Sequence, residues 1–386
     1  MPKGFPVIRM LTFAVLLAIV TFVLHRRLVV ATGLTGAARL AADAVLVVFW
    51  AAAVVGIGSG EVLDPSWARY VAYPGLTWLA ALLYLCLGSL LIAVGALVVR
   101  IGTRVAHRDG VSARRTFVRP ATAVLVLGTV VAVAYGVVAA ATPKVTRTTV
   151  ELAALPASFD GVRVGLVSDL HVGPARGEAF VQGVVDTLMA ETPDLVIIAG
   201  DLVDGTVDLV GPALAPLSEL SAPLGVVVTS GNHEFYAGDG GAWLDLYDSL
   251  GLRVLRNETV PLTRGVDTID LVGSEDLTAP EPYEPDLAAA LEGTDPARFQ
   301  LLSAHQPKQA TQASDLGVDM QVSGHTHGGQ IWPIVYLVPL QQPSVQGLDT
   351  IGDTTLYTTR GAGAWGPPVR IGAPPEISLL ELRTAR

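Results

Sequence analysis

Five short polar clusters in the second half of the chain carry the side chains that could do chemistry. They are Asp169-Leu-His171, Asp201 with Asp204 three residues on, Gly231-Asn232-His233-Glu234, a lone His305, and His325-Thr-His327 inside GHTHGG at 324–329. Of the seven histidines in the chain, five fall in these clusters, while His25 and His107 lie in basic loops of the first half and read as incidental. Imidazole nitrogens beside Asp and Asn oxygens, with no thiolate among them, suit borderline-to-hard divalent ions such as Mn, Fe or Zn. The donors outnumber what one four- to six-coordinate ion needs, so two metal ions are the natural reading. If a strand ends at Gly324, residues two apart point to one side, and His325 and His327 aim together.

Such donors need a frame that brings distant segments to one place. Each cluster follows an apolar run rich in Val, Ile and Leu: VRVGLVS (162–168), DLVIIAG (194–200), LGVVVTS (224–230), FQLLSA (299–304) and VDMQVSG (318–324). Further runs of this kind occupy 268–274, 354–359 and 377–382. Runs this continuous suit strands buried on both faces by helices. Helix-like stretches lie between the earlier ones, at 177–191 and 243–251. Alternation of this sort implies an α/β domain with at least one mainly parallel sheet. In such sheets ligands bind beyond the carboxyl ends of the strands, where all five clusters stand.

The first half is of a different kind. Hydrophobic residues make up 51% of the 386 and mean hydropathy is +0.51, too apolar for a wholly soluble chain. The excess collects in four runs, at about 5–24, 39–58, 75–99 and 121–141, each near the roughly 20 residues a helix needs to cross a bilayer. Residues 1–143 therefore read as four transmembrane helices. The polar segment TPKVTRTT (142–149) reads as a linker, taken as residues 144–150, and 151–386 as the second domain. Charge divides at the same place: residues 1–150 hold 14 Lys and Arg against 4 Asp and Glu, and residues 151–386 hold 11 against 31. Segments 25–39 and 100–120 are the basic loops, and positive loops stay in the cytoplasm. This orientation puts the second domain outside the cell membrane. Its net charge of −20 makes it a poor binder of nucleic acid, which needs clustered Lys and Arg. Cys86, the single cysteine, permits no internal disulfide. Asp43, inside the second run, reads as an interfacial partner of Arg39 four residues before it.

The ordered set D-x-H, G-D-x-x-D, G-N-H-E, a lone H and G-H-x-H resembles the calcineurin-like metallophosphoesterase superfamily over about 150–386. The extended GHTHGGQIWP (324–333) and the tail at 359–382 are similar to its bacterial membrane-associated, YkuE-like or YaeI-like branch. The resemblance implies a β-sandwich flanked by helices, here preceded by the four-helix transmembrane region. It further implies that Asp169, His171 and His327 hold one metal, that Asn232, His305 and His325 hold the other, and that Asp201 bridges them. His233 would lie over the substrate phosphate as a catalyst, with Asp204 orienting it.

Residue chemistry agrees with this. A carboxylate has two oxygens to share between two cations, and cations so placed give a hydroxide that attacks phosphorus in line. His233 could protonate the leaving oxygen or steady charge on the phosphoryl group. Asp204 is alternatively a cap for the helix that follows, and Glu234 reads as structural. Arg360 is either a substrate-phosphate contact or a salt-bridge partner. Trp332 and Trp365 either rim the pocket or pack in the core or at the membrane interface. The expectation is a membrane-anchored phosphoesterase acting on a monoester or diester, with an envelope or lipid-linked diester favoured because the site is tethered beside a bilayer. Cleavage of a pyrophosphate bond in a sugar-nucleotide lipid is the alternative within the enzyme class. A metal-binding membrane sensor or scaffold without turnover is the alternative outside it.

Overall fold

The computed structural model describes residues 5–385, which divide into a helical unit and a sheet-based unit. In the helical unit, α1 spans Phe5–Leu24 and runs on through a π turn at His25–Val30. It is followed by α2 (Gly36–Gly58), α3 (Pro65–Val105) and α4 (Gly110–Ala140). All four are long and apolar enough to cross a membrane. Their outward side chains, among them Ile19, Phe22, Val48, Leu91 and Leu127, are exposed hydrophobics of the kind lipid covers. The helices outrun the apolar runs expected from the sequence, because helical hydrogen bonding continues where hydropathy stops. Thus α3 is 41 residues long, about 60 Å or twice the hydrocarbon thickness. Its start is set by Pro65 at the first helical position and by Asp64, whose carboxylate accepts from Ser66 N at 2.8 Å. Asp43 does meet Arg39, at 3.6 Å, but its shorter contact is with His25 Nδ1 at 2.7 Å, so His25 is not incidental to the packing.

The second unit is a sandwich of two six-stranded sheets. In chain order its strands are β1 (Lys144–Leu152), β2 (Arg163–Val167), β3 (Leu195–Ala199), β4 (Val226–Thr229), β5 (Arg253–Val254), β6 (Glu258–Arg264), β7 (Asp267–Gly273), β8 (Gln300–Ser303), β9 (Met320–Ser323), β10 (Gly347–Ile351), β11 (Thr354–Thr358) and β12 (Glu376–Thr384). Its helices are α5 (Glu178–Ala190), α6 (Val207–Val210), α7 (His233–Tyr236), α8 (Gly240–Ser249), α9 (Leu287–Ala290) and α10 (Ala310–Asp315). The first sheet has the order β1-β12-β2-β3-β4-β5, parallel except where β12 runs antiparallel to β2. The second has the order β10-β11-β9-β8-β7-β6, with a parallel centre from β11 to β7 and an antiparallel strand at each edge.

The apolar runs are continuous because each central strand feeds two cores. In β3, Leu195, Ile197 and Ala199 face the other sheet, while Val196 and Ile198 face the layer of α5 and α8 with Val184, Leu188, Trp243 and Leu244. In the second sheet Leu301 points inward, and Leu302 points out to Leu287 and Ala313. This is the helix-flanked sandwich expected. The expected linker is a correction: residues 144–152 are β1, an edge strand pairing parallel with β12 from Lys144↔Glu376 to Leu152↔Thr384. Its Thr and Val residues have high strand propensity, but one face is solvated and the pattern reads as polar.

Candidate metal centre

Four of the five clusters sit on tight turns just past β2, β3, β8 and β9, and the remaining one, Asn232-His233, follows β4 and opens α7. The backbone shows what this convergence demands. Asp169, His171, Asp201, His325 and His327 all have positive φ, between 48° and 70°. Non-glycine residues in that region cost on the order of 1 kcal/mol or more each and persist where surrounding contacts over-determine them. GHTHGG follows directly on the end of β9 at Ser323, but the strand does not continue into it: His325 and His327 stand on a turn at φ 70° and 53°. The two fall in different groups of donors.

The donors form two groups that meet at Asp201. In the first, His171 Nε2 lies 3.0 Å from His327 Nε2, and His327 Nε2 lies 3.3 Å from Asp169 Oδ1. Asp201 Oδ2 is 3.8 Å from His171 Nε2. In the second, Asp201 Oδ2 is 3.2 Å from His305 Nε2, and His325 Nδ1 is 3.3 Å from His305 Nε2 and 2.9 Å from Asn232 Oδ1. Ligands on an ion with bonds of about 2.1 Å stand roughly 3.0–3.4 Å apart; the His171–His327, His327–Asp169, Asp201–His305 and His305–His325 pairs have this spacing, and His171–Asp201 at 3.8 Å is wider. Asp169, His171, Asp201, Asn232, His305 and His327 are all buried.

The hydrogen bonds leave the right lone pairs free. His171 Nδ1 donates to Asp204 Oδ1 at 2.9 Å and His305 Nδ1 donates to Ala199 O at 2.7 Å, so each Nε2 is left as a donor to metal. Burial, and after it the Arg370 guanidinium, hold His327 well below the usual histidine range, which keeps that imidazole neutral. The residues fit two divalent ions.

His233 lies within reach of the same cluster, grouping with His171 and Asp201, and differs from the other histidines in its partners. Its Nδ1 is 2.7 Å from Asp204 Oδ1, the same oxygen that receives His171, and its backbone N donates to Asp201 Oδ1 at 2.8 Å. Burial opposes charge on His233, but the Asp201 and Asp204 carboxylates outweigh it and raise the imidazole to about 9. For Asp204 burial is again outweighed, here by His171 and His233, and its carboxyl is held well below the usual range. The rings of Tyr236 and Trp365 lie 4.7 and 6.3 Å from that of His233.

Glu234 is structural in the way its burial requires. Its carboxylate accepts from the backbone N of Gly231, Leu202 and Asp201 at 2.7, 2.8 and 3.1 Å and from Tyr247 OH at 2.9 Å. It ties the turns after β3 and β4 together. Gly231 is needed at this junction, since a Cβ there would collide with Asp201 Oδ1.

Arg360 is engaged within the protein. Its guanidinium pairs with buried Glu376, and its Nε donates to Pro374 O at 2.8 Å. Of the two readings the sequence left open, the geometry has the salt bridge. The arginine that touches the site is Arg370, which sequence reasoning missed. It is fully buried and donates to His327 O at 2.7 Å, to Gly363 O at 2.6 Å and to Arg360 O at 2.8 Å, and it faces His327 Nδ1 at 3.1 Å. Its one signal is an isolated cation in the Gly- and Pro-rich tail GPPVRIG.

Comparison with known proteins gives the family. Residues 162–329 match the family described as Calcineurin-like phosphoesterase. The chain is 31% identical over 252 residues to the uncharacterized metallophosphoesterase YkuE of Bacillus subtilis, covering 85% of that protein and 62% of this chain. The chain belongs to the calcineurin-like metallophosphoesterases. It is also 36% identical over 275 residues to a Danio rerio protein named transmembrane protein with metallophosphoesterase domain, and 36% identical over 285 residues to a Bos taurus protein of the same name. These matches cover 68% and 70% of this chain, which spans only 63% and 64% of those relatives' lengths. Membership of this family implies divalent metals, for which the His and Asp clusters described above offer donors. Membrane association agrees with the four apolar helices and with the transmembrane relatives.

Proposed function

We propose that this metallophosphoesterase hydrolyses a phosphomonoester or phosphodiester with two divalent ions at a membrane-anchored site facing away from the cytoplasm. An envelope or lipid-linked phosphodiester is the favoured substrate. The observation that carries the reading is the junction of the two donor groups at Asp201, with the His233–Asp204 pair beside it. Asp169, His171 and His327 would hold one ion, Asn232, His305 and His325 the other, and Asp201 both. When bound, the ions supply Lewis acidity and a water acidic enough to attack phosphorus near neutral pH.

The chain's own residues do the rest. His171 and His305 keep their lone pairs aimed inward through Asp204 and the Ala199 carbonyl. Arg370 fixes the turn that carries His327. His233, protonated by virtue of its carboxylate neighbours, donates a proton to the leaving oxygen, and Asp204 holds it in the orientation that does so. A purely structural metal site needs no such histidine, which disfavours the sensor reading.

The test is turnover of bis-p-nitrophenyl phosphate and p-nitrophenyl phosphate by the full chain with Mn. His233→Ala is expected to lose about 10²–10⁴-fold in rate while metal content stays. Loss of both metals would make His233 a ligand, and metal bound with no turnover by the unaltered chain would favour the sensor. A reporter at the C-terminus active only in the cytoplasm would reverse the orientation.

A further inference from the structure

The metal-binding turn continues into a stretch the chemistry above does not use. Residues 331–340, IWPIVYLVPL, contain no charged side chain. They form two short 3-10 turns, Ile334–Tyr336 and Val338–Leu340. Yet Trp332, Ile334, Tyr336, Leu337 and Leu340 are exposed, Leu340 by 79%. Trp365, 58% exposed, joins them through Gln330, whose amide bonds Trp365 O at 2.8 Å and N at 2.9 Å.

This apolar rim is fixed to the site. Trp332 N donates to Ile371 O at 2.8 Å, and Gly329 has φ 79° with Val335 backbone lying where its Cβ would be. The Trp365 ring reaches His233. Apolar exposure of this extent on a soluble face marks an interaction surface.

We propose that residues 331–340 with Trp365 dock into the headgroup region of a bilayer and present the metal centre to a phosphoester carried on a lipid. The choice of a bilayer over a protein rests on three observations. The chain itself brings a membrane: only residues 141–143 separate α4 from β1, a tether of about 10 Å. Trp and Tyr among aliphatic side chains are the composition of the membrane interface. Irregular backbone cannot sit in hydrocarbon exposed to lipid, so a patch built of 3-10 turns belongs at headgroup depth. With a net −20 on residues 151–386, attraction to anionic lipid is not the driving term, and docking holds in neutral bilayers and high salt. The lipid phosphoester part rests on the hydrolase reading above; the docking does not.

The experiment uses the full chain with Cys86→Ser in phosphatidylcholine nanodiscs, carrying an environment-sensitive fluorophore at Leu337→Cys. The comparison is Val266→Cys, 94% exposed in the turn between β6 and β7, at the opposite ends of the strands from the site. Nitroxide lipids are expected to quench the Leu337 probe about twofold or more and to leave the Val266 probe unaffected. Equal quenching at both sites, or none at Leu337, overturns the docking. A second arm compares a phosphoester held in the bilayer with its short-chain soluble analogue. The bilayer form is expected to be turned over about tenfold faster, and Leu337→Asp with Leu340→Asp to remove that preference. Turnover of both forms without preference overturns the lipid substrate. Turnover of neither overturns the hydrolase reading, while the quenching result stands by itself.

Discussion

Asp204→Asn separates two roles that the structure gives one oxygen. Asp204 Oδ1 receives His171 Nδ1 at 2.9 Å and His233 Nδ1 at 2.7 Å. The first bond bears on a metal ligand and the second on the proposed acid. Rise of His233 from 6.5 to about 9 corresponds to roughly 3 kcal/mol in favour of the protonated ring, net of burial. Asp201 and Asp204 supply most of that attraction. Cations on Asp201 cancel much of its field and themselves oppose charge on His233, which leaves Asp204 as the main support for the imidazolium in the loaded enzyme. An amide at 204 removes that support, and burial then drives His233 to its ordinary value or lower. An acid must be protonated to act, so activity present below its pKa is lost as pH rises through it. The basic limb of the kcat/KM profile is therefore expected to move at least about one unit toward acid, with a loss of about 10–100-fold at pH near 8 and partial recovery near 6. Metal affinity should weaken by about tenfold through His171. The assay is a pH–rate profile at saturating Mn, with metal content measured alongside. A basic limb left in place, or full rescue by excess metal at every pH, would refute the reasoning and confine Asp204 to orienting His171.

Three further outcomes test other parts of the centre. Glu234→Gln puts an NH₂ among three backbone donors and is expected to destabilise the chain by about 2–4 kcal/mol, read as a lower thermal midpoint in detergent micelles. In the chelated chain, the raised His233 contributes stability that is whole below the unfolded pKa near 6.5 and disappears as pH rises through about 9. Denaturation of that form should accordingly require on the order of 3 kcal/mol less at pH 10 than at pH 6 from this group. Restoring Mn or Zn at about a thousandfold over its dissociation constant should add about 4 kcal/mol, seen as a rise in melting temperature that chelator reverses.

The site was legible in the sequence because its donors follow strands whose two faces are both buried. Continuous Val, Ile and Leu announce such strands, and a polar cluster after each one marks its carboxyl end. The same rule misses β1, β6 and β10, whose solvated faces alternate or read as polar. It also fails for conformation: nothing in D-x-H or G-H-x-H foretells positive φ at five donors, and the strand alternation expected of His325 and His327 gave way to a turn. Long-range placement was the least visible. In the first sheet β12 pairs with β2, so the tail preceding β12 is drawn across the β2 end: Ala362 N bonds Ser168 O and Gly363 N bonds Asp169 O. That crossing delivers Arg370 to His327 and lets Glu376 claim Arg360, so the arginine nearest a strand end is engaged elsewhere while a more distant one shapes the metal site. Which of two arginines serves the centre was decided by strand order, a property of paired segments more than 200 residues apart that no local window of sequence records.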